Sequence, residues 1–146
     1  MAPWAKRLAK AKQVARNRRI VVSDLERILG TRYTFATARA LKRRLPWLSL
    51  VWLMGADNLA EFHLWRRWEA LATSLAIAIY DRPTYFRKAM ASPAAKRLAR
   101  FRRGRESEGC LAALRPPAWA YLVGRVHPGS ATRVRQSSGW AGDNSL

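Results

Sequence analysis

Acidic side chains are scarce in this chain. Asp and Glu number 9 against 28 Lys and Arg in 146 residues, for a formal net charge of +19. That imbalance favours polyanionic partners (nucleic acid, an anionic membrane surface, nucleotide phosphates) and carries no information about fold. Cysteine is scarcer still. A single residue, Cys110, excludes an internal disulfide and any multi-cysteine zinc site, and it fits a reduced, cytoplasmic compartment. The two histidines, His63 and His127, have no metal-ligand spacing to each other or to a carboxylate pair. No metal site is assigned, and both are expected to be structural. No apolar run approaches the roughly 18–20 residues that span a bilayer. The start, "MAPWAKRLAKAKQVARNRR", lacks the apolar centre of a secretory signal, although the absence of acid before Asp24 also suits a transit peptide. Neither G-x-G-x-x-G nor G-x-x-x-x-G-K-[ST] occurs anywhere.

Apolar patterning is abundant, at 49% of residues, enough for one domain with a real core. Residues 4–19 place Trp4, Leu8, Ala11 and Ala15 on one helical face. "RIVVSD" (19–24) predicts a short strand, and 33–45 a helix stopped by Pro46. "WLSLVWLM" (47–54), "LAIAIY" (75–80) and "AWAYLVG" (118–124) are continuous apolar runs, as strands covered on both faces must be. Helical stretches are expected at 58–72 and at 93–114, the latter interrupted near Gly104. Strands alternating with helices predict an α/β fold with a doubly wound parallel sheet over residues 1–136, followed by a flexible tail, 137–146.

Three groups of residues could carry chemistry. Gly55 and Asp57 follow an apolar strand, where open α/β sheets bind ligands outside the carboxyl ends of their strands. Asp57 suits either hydrogen bonding to ribose hydroxyls or capping of the helix that follows. Trp65 and Trp68, three apart, predict one helix face, for core packing or for stacking on a flat ring. Arg66 and Arg67 between them are solvated or touch phosphate. "GSATRVR" (129–135) sets Ser130 and Thr132 ahead of a helix, whose N-terminus binds phosphate readily. Arg133 and Arg135 near that first turn oppose the helix dipole, a conflict that an anion would remove. The basic run 95–105 reads as a helix face, either solvated or a nucleic-acid footprint.

Taken in order, "GTRYTFATARAL", "VWLMGADNLAEFHLWRRWE", "AIAIYDRP" and "SATRVR" resemble the bacterial nicotinate-nucleotide adenylyltransferases, members of the nucleotidyltransferase superfamily. The resemblance covers most of residues 1–136, and the block G-A-D-N-L-x-x-F-H-x-W-x-x-W is its most specific part. It implies a Rossmann-like domain that joins nicotinate mononucleotide to the AMP moiety of ATP in NAD biosynthesis, with Mg2+ on the triphosphate. Carried over, Thr34 would lie against the nicotinate carboxylate, Trp65 would stack on the pyridine ring, and the backbone N–H of Arg66 would reach the carboxylate. Gly55 and Asp57 would meet the nucleotide; Ser130, Thr132 and Arg135 would hold phosphate. No catalytic side chain is identified, because the family's G-G-x-F-[D/N]-P-x-H-x-G-H segment has no match here. On that reading the chain starts at an internal methionine of the pattern, lacking the N-terminal strand, so activity is expected to be impaired. Ala36 also stands where the family often has Asp, and Gly129 where it has an apolar residue. The alternatives are a basic nucleic-acid-binding module and an inactive fragment of the family. The expected partners are ATP and nicotinate mononucleotide, with neither membrane nor nucleic acid.

Overall fold

Large and small residues alternate along the buried strands, and that alternation sets the architecture. The computed structural model describes residues 3–15 and 17–123, which fall into two units, one up to Ile28 and one from Leu29 onward. In the first unit, α1 (Trp4–Val14) buries none of its residues and α2 (Leu25–Ile28) is a single turn. The Arg27 guanidinium holds both ends of this unit. It donates to Asp24 Oδ2 at 2.8 Å and lies 5.3 Å over the Trp4 ring. That hydrogen bond is the main reason the Asp24 carboxyl lies below its ordinary pKa. The strand expected at 19–24 does not form: residues 20–24 are irregular, with Ile20 57% and Val21 85% exposed. A strand exists only through a paired neighbour, and among the described residues none pairs with this segment.

The second unit is built on four parallel strands: β1 (Val51–Gly55), β2 (Ala76–Tyr80), β3 (Arg102–Arg103) and β4 (Trp119–Leu122). Their spatial order is β1-β2-β4-β3, so every connection is a crossover. Ile77, Ile79, Trp119 and Tyr121 face a main core with Leu59, Phe62, Leu71 and Leu98. On the opposite face, Ala76, Ala78, Ala118 and Ala120 form a thin layer with Leu111, from a 3-10 segment at Arg105–Ala113. The chain is thus an α/β doubly wound parallel sheet, as the apolar runs predict. Small residues let the 3-10 segment lie close, while large ones fill the helical side.

The helices α3 (Thr34–Arg44), α4 (Ala56–Glu61), α5 (Trp68–Ser74), α6 (Phe86–Ala91) and α7 (Pro93–Arg97) complete the unit. Helix α3 packs on α5, and its Lys42 Nζ donates to the Ser74 carbonyl at the C-terminus of α5 (2.8 Å). Helix α7 starts cleanly, with Pro93 at its first turn and Ser92 Oγ accepting from Ala95 N–H at 3.2 Å.

Two further sequence expectations need correction. The apolar run at 47–54 becomes strand only from Val51; Trp47 and Leu48 are 74% and 47% exposed. Residues 93–114 hold α7, a 3-10 turn at Ala99–Phe101, β3 and the second 3-10 segment, so the basic stretch 95–105 is no single helix face. The cause is tertiary: Trp119 Nε1–H donates to the Leu98 carbonyl (2.8 Å) and Arg102 pairs in register with Trp119, which turns the chain into an edge strand. Helix α6 carries no cap residue and is not apparent in the sequence pattern.

The turn after β2 contains a strained residue. Thr84 sits at φ 73, a left-handed conformation that a β-branched side chain tolerates badly. Thr84→Gly should therefore stabilise the chain by about 0.5–1 kcal/mol, once glycine's own entropy cost is set against the relieved strain. Urea unfolding that shows a higher midpoint at unchanged slope would establish this.

Candidate functional site

Parallel strands bring their carboxyl ends to one edge. Gly55 of β1 is level with Tyr80 of β2, and Tyr80 with Leu122 of β4. Helix α4 starts immediately at that edge, with Gly55 as its N-cap residue. Asp57 is therefore in the first turn and does not cap; no side-chain capping bond is made. Its carboxylate instead faces Arg82, with Oδ1 3.1 Å from Nε. This contact is an ion pair without hydrogen-bond alignment, so the buried Oδ1 keeps unfilled acceptor capacity. Gly55 lies directly under the pair. A Cβ there would stand 2.6 Å from Arg82 Nε and closer still to Asp57 Oδ1, so a larger residue would have to displace the pair.

Beside it, Asp81 follows directly on β2. Tyr121 O–H donates to Asp81 Oδ1 at 2.5 Å, and the Phe86 ring stands edge-on to Tyr121 at 5.2 Å. Burial first, and this bond second, push the Tyr121 phenol well above the usual tyrosine range. The folded state thus favours the protonated phenol. Its contribution is fully present below the ordinary value of about 10 and is lost as pH rises above it towards the folded-state value. A near-ultraviolet difference titration should show one phenol that ionises only beyond the usual range or on alkaline unfolding, and Tyr121→Phe should remove it.

A second cluster forms where the N-terminus of α3 meets residues 65–67. The helical stretch expected over 58–72 is broken here. Helix α4 passes into a 3-10 turn (Phe62–Leu64), and Arg67 at φ 56 turns the chain back before α5. The two tryptophans are accordingly not on one helix. Both are held by Phe62, whose ring meets Trp65 at 5.5 Å and Trp68 at 5.6 Å, edge-on in each case. Phe62 is fully buried, while Trp65 and Trp68 are partly buried.

Around this break lies a groove of about 280 Å³ lined by Arg32, Tyr33, Thr34, Trp65, Arg66 and Leu71. The structure thus brings together Thr34, Trp65 and Arg66, three of the residues singled out from sequence. Thr34 opens α3, whose first-turn N–H groups are without intrahelical partners. The backbone N–H of Arg66 makes no hydrogen bond among the described residues. A flat ring surface, a hydroxyl and free N–H donors at a helix N-terminus suit a planar carboxylate. Gly55 and Asp57 belong to the strand-end cluster instead. Ser130, Thr132 and Arg135 lie outside the described residues, as does His127. His63 is partly buried, with Nδ1 making no hydrogen bond among the described residues.

A scan against protein-family models finds none that matches. Curated relatives do match. One from a Bradyrhizobium species is 44% identical over 135 residues, covering 92% of this chain and 70% of that protein. One from Parvibaculum lavamentivorans is 44% identical over 141 residues, 97% of this chain and 70% of its own length. A third, from Cereibacter sphaeroides, is 43% identical over 139 residues, covering 95% of this chain and 74% of that protein. All three are named "Probable nicotinate-nucleotide adenylyltransferase". The chain belongs to the nicotinate-nucleotide adenylyltransferase family. Its doubly wound parallel sheet is consistent with the Rossmann-like fold expected of that family. Among the described residues no helix is long and apolar enough to cross a membrane.

Sequence reasoning passed over several residues of this adenylyltransferase-family chain. Tyr33 and Arg32 lie next to Thr34, but nothing local marks them as lining a groove. Arg82 in "YDRP" had a usable signal, being a cation just beyond a strand's carboxyl end.

Proposed function

We propose that this chain binds nicotinate mononucleotide and takes part in transferring the AMP moiety of ATP to it, yielding deamido-NAD and pyrophosphate. The observation that carries the reading is the convergence of Thr34, Trp65 and Arg66 in one groove of a chain whose relatives bear that enzyme name. Trp65 stacks on the pyridine ring, and Thr34 with the Arg66 N–H holds its carboxylate. Gly55 and Asp57 receive the nucleotide at the strand ends. Ser130, Thr132 and Arg135 complete the phosphate contacts.

In this reaction an oxygen of the mononucleotide's 5′-phosphate attacks the α-phosphorus of ATP. A new P–O bond forms as the bond to the departing pyrophosphate breaks. Since the substrate is its own nucleophile, the protein's work is alignment and stabilisation of developing negative charge. Mg2+ enters on the triphosphate as part of the substrate. The described residues hold no cluster of three or more carboxylate, imidazole or thiol groups that fits a resident metal, and no step is assigned to one. The 146 residues contain no match to the family's G-G-x-F-[D/N]-P-x-H-x-G-H segment. We therefore propose that turnover by these residues alone is impaired, with mononucleotide recognition retained in a cytoplasmic protein.

A titration with nicotinate mononucleotide, followed by tryptophan fluorescence, tests the recognition step. Saturable quenching that Thr34→Ala weakens several-fold is the expected result. Absence of quenching, or quenching indifferent to Thr34→Ala, would refute the assignment of this groove.

A further inference from the structure

Adjoining the pyridine groove is a second cavity, of about 320 Å³, lined by Tyr33, Phe35, Ala36, Arg39, Arg66 and Arg67. Its chemistry is one-sided. Three guanidinium groups line it and no carboxylate does. None of the three pairs with an acid among the described residues, where the ion pairs are made by Arg27, Arg82 and Arg97. Three cations sharing one cavity repel one another, a cost that a bound anion reverses.

The guanidinium groups are also placed. Arg66 lies 5.1 Å over the Tyr33 ring and Arg67 5.7 Å over the Phe35 ring. Stacking on an aromatic face limits the freedom that a long side chain otherwise loses on binding. The backbone contributes as well. Arg67 holds a left-handed conformation, φ 56 and ψ 37, which is strained for a non-glycine residue. That turn lets two successive arginines each reach a neighbouring ring of the Tyr33–Phe35 segment. On α3, Ala36 and Arg39 are three apart and so share a face, the small side chain leaving space beneath the long one.

We propose that this cavity is a phosphate subsite, taking a multiply charged phosphate group through Arg39, Arg66 and Arg67. Three forked donors suit a tetrahedral polyanion better than a single carboxylate, which two N–H groups already satisfy. The subsite shares Tyr33 and Arg66 with the pyridine groove. It does not depend on nicotinate mononucleotide being the substrate.

The test is calorimetric titration of the 146-residue chain with sodium pyrophosphate and, separately, inorganic phosphate and a short single-stranded oligonucleotide, all at fixed ionic strength. Saturable pyrophosphate binding is expected, tighter than that of phosphate. Arg39→Gln should weaken it about tenfold and Arg39→Gln with Arg67→Gly about a hundredfold, while Arg39→Lys stays within a few-fold. Arg67→Gly relieves the left-handed strain, so its thermal midpoint should equal or exceed the parent's, which separates loss of the site from loss of the fold. Thr34→Ala should leave pyrophosphate binding unchanged, so the two sites can fail independently. No pyrophosphate binding, equal binding by the double variant, or an oligonucleotide bound more tightly and lost in the same variants would overturn the proposal.

Discussion

Phe62→Ala should be the most damaging single substitution in the sheet-bearing unit, lowering stability by about 3–5 kcal/mol. Phe62 is 0% exposed and its ring meets both Trp65 and Trp68, so truncation opens a cavity and removes two edge-on aromatic contacts together. A loss of that size takes a large share of the roughly 5–15 kcal/mol that holds a typical domain folded. Two residues along, Leu64→Ala is the natural control, because Leu64 is 72% exposed and should change stability by less than about 0.5 kcal/mol. Urea unfolding of the pair distinguishes the accounts. Similar midpoints for the two variants would mean that Phe62 does not organise this segment.

The second large effect is on binding. Trp65→Ala should raise the Kd for nicotinate mononucleotide about tenfold to a hundredfold, the range expected for removing an aromatic stacking partner. Affinity for ATP should change little, and Trp65→Phe should keep most of the interaction. Trp65 is also partly buried against the main core, so the substitution has a structural cost as well. Urea unfolding of Trp65→Ala measures that part separately. An unchanged Kd in a well-folded Trp65→Ala would remove the stacking role.

The contrast between these residues shows what the sequence can reveal. Strands β2 and β4 are legible because both faces are buried, so their apolar runs are continuous and end where polar or turn residues begin. The same pattern misleads at 47–50, where the apolar side chains of Trp47 and Leu48 are solvent-exposed. It misleads again at 20–24, because β-propensity describes fit to a pleated surface and a partner strand must be present. The breaks at 62–67 and at 98–103 come from side chains distant in sequence or from backbone geometry: the Phe62 ring, the left-handed Arg67, the Trp119 indole on the Leu98 carbonyl. Periodicity alone sees none of these.

The candidate site divides in the same way. Thr34, Trp65 and Arg66 stand out by resemblance to a family, and the fold places all three at one groove. Arg39 looks like an ordinary surface cation in the sequence, and Arg67 reads there as either solvated or in contact with phosphate. Their significance is relational: no acid lines the cavity they share, and a ring stands beneath Arg67. Asp57 reads as a cap or a ribose ligand, and the structure gives it a cation partner that neither reading contains.

The most direct test of the central claim is adenylyl transfer itself. The 146-residue chain, alone and preceded by a G-G-x-F-[D/N]-P-x-H-x-G-H segment of the family pattern, should be supplied with nicotinate mononucleotide, ATP and Mg2+, and deamido-NAD and pyrophosphate measured. Formation of both products by the extended chain, with little or none from the 146 residues alone, is the predicted result. No product from either chain, with folding verified, would contradict it.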